Sequence, residues 1–259
     1  MFPIYTLRQY AGGRIWNFPA GLIVLYDMMT HLNLKKVLGR LCVPILLALS
    51  VWSVMLTGCA TQPAFSDSGE VKQGPIQPVK TPAGREVATF AGGCFWARDA
   101  MFRHLKGVDS VVSGFAGGHT ARPTYDKVCT GTTGYAETVQ IIFDPKVISY
   151  HDLLDVFFHT HDPTTLNAQA PDEGTQYRSA VFYHSAKQQA MTESVIGDVT
   201  KAGLYPNKIV TQVVPYTGFY PAEAYHQDFF DLNPGQSYCA NVVAPEVAHF
   251  RQLYHARLK

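Results

Sequence analysis

The chain has 259 residues, a formal net charge of +1, 47% hydrophobic residues and 16% charged ones. This is the composition of a globular protein: no basic excess points to a nucleic-acid partner, and no low-complexity tract interrupts the chain. Once its front end is set aside, enough chain remains for one good-sized domain.

Residues 1–27 fit no part of a targeting signal, which makes Met28 or Met29 the more natural start. Lys35, Lys36 and Arg40 then precede an apolar run over residues 41–56, broken by little more than Pro44 and two serines. The run ends Leu56-Thr57-Gly58-Cys59-Ala60. A basic opening, an apolar middle and a small-residue exit make an export signal. An uncleaved membrane anchor competes with that reading, because the run is nearly long enough to span a bilayer. Leu-Thr-Gly-Cys resembles the signal box of bacterial lipoproteins. The resemblance implies that Cys59 is lipidated and becomes the first mature residue. With Ala60 following, it implies an exported lipoprotein on the periplasmic face of the outer membrane. Residues 1–58 are therefore expected to be extension and signal peptide. Residues 59–85, rich in Pro, Gln, Ser, Gly and Lys, are expected to be a flexible tether, and residues 86–259 the folded domain.

In that domain, Val87-Ala88-Thr89-Phe90 has the β-branched and aromatic content of a strand. Ala91-Gly92-Gly93-Cys94-Phe95-Trp96 follows, and then a helix is expected over residues 97–107, with Phe95, Phe102 and Leu105 on one stripe and Gly107 at the C-terminal cap. Two glycines allow a sharp strand-to-helix turn that delivers Cys94 to the first helical turn. There, unpaired N–H groups and the helix dipole favour a thiolate, so Cys94 is the candidate nucleophile rather than a small core residue.

A strand over residues 108–118 closes on glycines, and a loop with Tyr125 and Cys129 runs to Gly134. Residues 136–143 read as a strand stopped by Asp144-Pro145, and Ser149 as the N-cap of a helix through Phe158. A long polar loop over residues 159–178 leads to a strand at 179–184. The order β-α-β-β-α-β is that of a ferredoxin-like (split βαβ) core, an α+β two-layer α/β sandwich. A helix (187–202), a strand (209–214) and extra C-terminal helices (222–232 and 245–258) complete the expectation.

Gly92-Gly93-Cys94-Phe95-Trp96, Gly134-Tyr135-Ala136-Glu137, Ser149-Tyr150, His161-Asp162-Pro163 and Gly174-Thr175-Gln176-Tyr177-Arg178-Ser179 together resemble type A peptide-methionine sulfoxide reductase, in the family's order and spacing. The resemblance implies a methionine sulfoxide reductase domain acting on the S epimer in oxidised proteins. It implies Cys94 as nucleophile, Phe95 and Trp96 as the apolar pocket for the substrate methyl, and Glu137 as the acid that protonates the sulfoxide oxygen. Tyr125 and Tyr177 are implied as donors to that oxygen and Asp172 as an organiser of the site. A sulfoxide oxygen leaves sulfur poorly unless it is protonated as the thiol sulfur attacks, which is why a shielded carboxyl and phenols suit this chemistry. Attack leaves a sulfenic acid on Cys94. The resemblance further implies Cys239 on a mobile C-terminal stretch as the resolving cysteine, with Cys129 as runner-up, and a thioredoxin-like reductant. No cofactor or metal is implied: His159, His161 and Asp162 have no further ligand set at suitable spacing. A monomer with no nucleic-acid partner is expected.

The chain departs from the family pattern at Asp99, Ala168 and Ala170, read as changes around the site that leave the nucleophile, acid and tyrosines in place. Two rival readings stand beside the reductase. One is a cysteine hydrolase or acyl transferase pairing Cys94 with His119 or His226. The other is a module that binds methionine or its sulfoxide without turnover.

Overall fold

The computed structural model describes residues 81–259; the export-signal run, Cys42 and Cys59 lie outside the described residues. At the centre of the fold is β1 (Glu86–Ala91), whose Ala88 and Phe90 are fully buried. It runs antiparallel between β3 (Ala136–Phe143) and β6 (Ala180–Tyr183), and β3 pairs in turn with β2 (Val108–Ala116). The inner order β6-β1-β3-β2 is that of the split βαβ plan. Two outer strands extend the sheet: β7 (Gln212–Pro215), parallel to β6, and β8 (Phe219–Pro221), antiparallel to β2.

Helix α1 (Phe95–Arg103) connects β1 to β2, and α3 (Tyr150–Thr160) connects β3 to β6. Both cover one face of the sheet, because Phe90 meets rings from each. Its centroid lies 5.8 Å from Phe102 of α1, and 5.0 Å from Phe157 and 5.8 Å from Tyr150 of α3. Period-two alternation in β3 sends Glu137, Val139, Ile141 and Phe143 to this side, while Ala136 joins Ala91, Ala116, Ala180, Phe182 and Phe219 in a smaller cluster on the other. Ser149 caps α3 as expected: its Oγ accepts from Asp152 N at 3.1 Å while Ser149 N donates to Asp152 Oδ2 at 3.0 Å.

The C-terminal third adds α4 (Ala186–Lys201), a one-turn α5 (Phe229–Leu232) and α6 (Ala244–Tyr254). Arg98 of α1, almost fully buried, pairs with Glu246 of α6 and donates to Thr160 O at the end of α3 at 2.6 Å, tying the three helices together.

The α+β sandwich agrees with the sequence expectation; several local elements do not. The helix expected over 97–107 begins at Phe95 and ends at Arg103. Leu105 instead bridges Leu258, and Gly107 at φ +85° starts the return into β2. The loop carrying Tyr125 contains a one-turn helix α2 (Tyr125–Cys129). The polar loop over 159–178 folds into a small hairpin, β4 (Ala168–Gln169) and β5 (Asp172–Glu173), and a 3-10 turn, Thr175–Tyr177. Where a helix was expected over 222–232, only a 3-10 turn (Ala224–His226) and α5 form. These pieces are held by side-chain contacts from distant segments, which no local period encodes.

Candidate active site

Cys94 stands at the N-cap of α1 with φ −58° and ψ 125°, outside helical geometry. Gly93, at φ +87°, occupies the left-handed region that a side chain disfavours. A Cβ there would fall 2.5 Å from Gln169 Cγ, and one on Gly92 would fall 2.8 Å from a Phe157 ring carbon. The β4–β5 hairpin and α3 thus press directly onto the turn that presents the cysteine. Gln169 is fixed in that place by accepting from Asp162 N at 3.1 Å.

Glu137 reaches the same turn from β3, where Phe115 of β2 is its cross-strand neighbour. Its Oε2 accepts from Phe95 N, one residue beyond Cys94, at 3.0 Å. The carboxyl is buried, and burial pushes its pKa from 4.5 up to about 8, against the Phe95 N–H; nearby Asp172 adds to the rise. Glu137 therefore holds a proton at neutral pH.

The same surroundings decide the state of Cys94. Burial pushes its thiol well above the ordinary range, and the charges of Glu137 and Asp172 add to that, outweighing the Trp96 N–H and the Tyr238 hydroxyl. The expectation that the helix N-terminus makes Cys94 a thiolate is corrected: the dipole acts in the expected direction, but desolvation and two carboxyls are larger, and the resting group is a thiol.

Tyr125 and Tyr177 come to the site from α2 and from the 3-10 turn after the hairpin. Burial is the largest cause raising the pKa of each phenol, and Glu137 is the largest charge acting on each; Cys94 and Cys129 act on both as well. Both are thus held as O–H donors beside the carboxyl. Asp172 opens β5, and its Oδ2 accepts from Tyr238, whose hydroxyl also hydrogen-bonds Cys94. Burial raises the Asp172 carboxyl and the Tyr238 bond opposes it.

Phe95 and Trp96 form an apolar wall. The Phe95 ring lies 5.9 Å from Phe115 and 6.2 Å from Tyr125, and Trp96 stacks on Phe229 at 3.9 Å with planes 13° apart. Trp96 Nε1–H donates to His226 Nδ1 at 3.2 Å. Burial lowers the His226 pKa to about 3, so this imidazole is neutral, with Nδ1 as acceptor and the ring proton on Nε2.

Cys239 begins a π-helical turn (Cys239–Val243) and is fully buried, its N–H donating to Gln236 Oε1 at 2.8 Å. It is a packed core residue here rather than part of an exposed arm, and no disulfide joins it to Cys94. Cys129, at the end of α2, is half-buried, and its carbonyl accepts from Gln176 Nε2 at 3.5 Å.

The residues singled out as departures lie on α1 and in the hairpin segment. Asp99 pairs with Arg103 Nε at 2.7 Å and accepts from Ser113 Oγ at 3.1 Å, one helical turn along α1. Ala168 and Ala170 lie in the hairpin segment. His161 Nδ1–H donates to Phe157 O at 2.6 Å, and its Nε2 accepts from Ser179 Oγ at 2.8 Å. Among the described residues, no three His, Cys, Asp or Glu side chains are placed to hold a metal. His226, one of the two bases the hydrolase reading named, is engaged at Nδ1 by Trp96 Nε1–H, and that reading gains no support.

Sequence reasoning missed Tyr238, Glu223 and the role of His226. Tyr238 adjoins Cys239 in a segment already singled out, which was its available signal. His226 and Glu223 carry none, since they reach the site only through the fold.

Comparison with known proteins follows the same residues. The family model for peptide methionine sulfoxide reductase matches residues 86–258. The peptide methionine sulfoxide reductase MsrA of Thermus thermophilus is 51% identical over 174 residues, covering 67% of this chain and 98% of that protein. Its namesake from Saccharolobus solfataricus is 48% identical over 174 residues, 67% of this chain and 97% of its own. Among solved structures, the reduced form of Mxr1 from Saccharomyces cerevisiae aligns with a TM-score of 0.58 at 39% identity, covering 61% of this chain and 91% of its own. Methionine sulfoxide reductase A of Corynebacterium diphtheriae aligns with 0.54 at 33% identity, covering 59% and 77%.

Proposed function

We infer the course of the reaction from one premise: the chain belongs to the peptide methionine sulfoxide reductase family and reduces methionine sulfoxide. The observation that carries the inference is a half-buried, un-ionised thiol, a carboxyl protonated at neutral pH and two un-ionised phenols gathered at one helix N-terminus. The substrate methyl lies against Phe95 and Trp96, and its oxygen turns toward Glu137, Tyr125 and Tyr177. The Cys94 sulfur attacks the sulfoxide sulfur as Glu137 gives its proton to the oxygen, and the phenols hold the developing charge. Glu137, having lost its proton, recovers one from the thiol. The oxygen leaves the substrate for Cys94, so methionine departs reduced and Cys94 is left as a sulfenic acid, with atoms and electrons balanced. Asp172 fixes the site by accepting from Tyr238.

Cys239 then attacks the sulfenic sulfur, water leaves, and a disulfide forms with Cys94; Cys129 is the second thiol in order of preference. A thioredoxin-like dithiol reduces that disulfide. The packed π-helical turn must open for Cys239 to react. The domain over residues 86–259 acts as a monomer on oxidised methionines of other proteins, with preference for the S epimer. A lipid on Cys59 and the tether over residues 59–85 hold it at the periplasmic face of the envelope, a reading supported by the Leu56–Cys59 sequence.

The test is turnover of separated S and R epimers of a methionine sulfoxide peptide with dithiothreitol, by the full chain beside Cys94→Ser and Glu137→Gln. The expected result is reduction of the S epimer alone, abolished in the first variant and sharply slowed in the second. A folded protein that reduces neither epimer overturns the reading and leaves binding without turnover.

A further inference from the structure

Helix α2 is a single turn of five residues, too short to stand by itself, and its preceding Thr124 makes no side-chain cap. The Tyr125 N–H, an orphan donor at that helix start, is instead taken by Glu223 Oε1 at 3.1 Å from a segment 98 residues away. The segment that carries Glu223 is itself fixed. Strand β8 pairs with the end of β2 beside Glu137's neighbour Phe115, and Gln227 brackets Ser113, accepting from its N–H at 2.9 Å and donating to its carbonyl at 3.0 Å.

The second carboxyl oxygen faces the other wall of the site. Glu223 Oε2 and His226 Nε2 are both buried without a hydrogen-bond partner and lie 3.9 Å apart. The ring proton of His226 resides on Nε2, since Nδ1 accepts from Trp96, so a donor and an acceptor face each other across that gap. The His226 ring centroid is 4.2 Å from that of Tyr125. One carboxyl group thus meets both the Tyr125 backbone and the imidazole that lies against the Tyr125 ring and accepts from Trp96.

We propose that Glu223 is a positioning residue for the reaction, setting where the Tyr125 hydroxyl stands by gripping the Tyr125 backbone and abutting His226. It acts through Tyr125 and touches no reacting atom. The proposal rests on the reading of Tyr125 as a donor to the sulfoxide oxygen, and the test separates the two.

The experiment measures the single-turnover rate of sulfoxide reduction in the full chain for Tyr125→Phe, Glu223→Ala, Glu223→Gln and the double variant Tyr125→Phe/Glu223→Ala, each with a melting curve. Misplacing a catalytic group typically costs about tenfold or more, so Glu223→Ala is expected to slow the step by about that factor with substrate affinity little changed. In the Tyr125→Phe background it adds less than about twofold, because there is no hydroxyl left to position. Glu223→Gln keeps an acceptor for the Tyr125 N–H and restores most of the rate. Should Glu223→Ala fail to fold, Glu223→Asp, one methylene short of the same N–H, is put through the same cycle with the same expectation. A slow Tyr125→Phe with a normal Glu223 variant overturns the proposal alone, as does a loss that multiplies with Tyr125→Phe, or a glutamine variant as slow as alanine. A normal Tyr125→Phe overturns the oxygen-donor reading of Tyr125 and the proposal with it.

Discussion

Glu137→Gln should stabilise the protein at alkaline pH while it slows the reaction. The folded chain holds this carboxyl at a pKa of about 8, against 4.5 for a free one. Between those values the folded chain keeps a proton that the unfolded chain has already released. Raising the pH therefore costs the folded state: the contribution is intact below pH 4.5 and is lost as pH rises through 8. At 1.36 kcal/mol per unit, moving from pH 5 to pH 8 costs the wild type roughly 3 to 4 kcal/mol through this one group. Glutamine cannot ionise, and its amide oxygen can still accept from Phe95 N, the one hydrogen bond that Glu137 makes to a backbone group at this turn. Urea titrations of both proteins under reducing conditions, at pH 5 and pH 8, read the effect directly. The difference in unfolding free energy should move in favour of the variant by about that amount as pH rises. A variant whose relative stability is the same at both pH values refutes the burial argument for a protonated Glu137. Reductase activity of the same variant should fall about a hundredfold or more, the usual scale for a lost general acid.

The pH dependence of the wild-type reaction has the same origin. The single-turnover rate of methionine sulfoxide reduction should be flat below pH 8 and decline above it as Glu137 releases its proton; a rate that climbs through that range would mean the thiolate, not the acid, is limiting. Gly93→Ala places a methyl 2.5 Å from Gln169 Cγ on a left-handed backbone. It should lower stability by about 1–3 kcal/mol and slow Cys94 chemistry, which denaturant midpoints and single turnovers check together. Cys239→Ser should still form one equivalent of methionine without reductant, yet lose turnover driven by a thioredoxin-like dithiol; undiminished turnover would pass the resolving role to Cys129 or to direct reduction.

The long elements were legible because their periods are. Phe90, Val139 and Ile141 alternate with residues of the opposite face, and Phe95 and Phe102 recur on one stripe of α1, so the split βαβ order followed. The Ser149–Asp152 cap was readable for the same reason: its chemistry is complete within four residues. Helix α2, the β4–β5 hairpin and strand β8 span two to five residues each, too few for any period; Glu223 holds α2 and Tyr238 holds Asp172 of the hairpin from afar, and β8 exists by pairing with β2. The site divides the same way. Cys94 was recognisable from its glycine turn, and the remaining residues from motif order. Its protonation was misread because the helix dipole is a local effect, whereas the burial and the carboxyls of Glu137 and Asp172 that override it are assembled by the fold. Tyr238 escaped notice for a related reason: its hydroxyl meets Asp172 and Cys94 across 66 residues or more of chain.

The mechanism stands most directly on where the sulfoxide oxygen goes. Full-length protein with Cys129 and Cys239 replaced by serine would be mixed, without reductant, with methionine sulfoxide carrying heavy oxygen, and the protein mass read at once. The expected result is one equivalent of methionine and one heavy oxygen on the peptide that contains Cys94. Methionine released with the label in water and none on Cys94, or no methionine at all from folded protein, would contradict it.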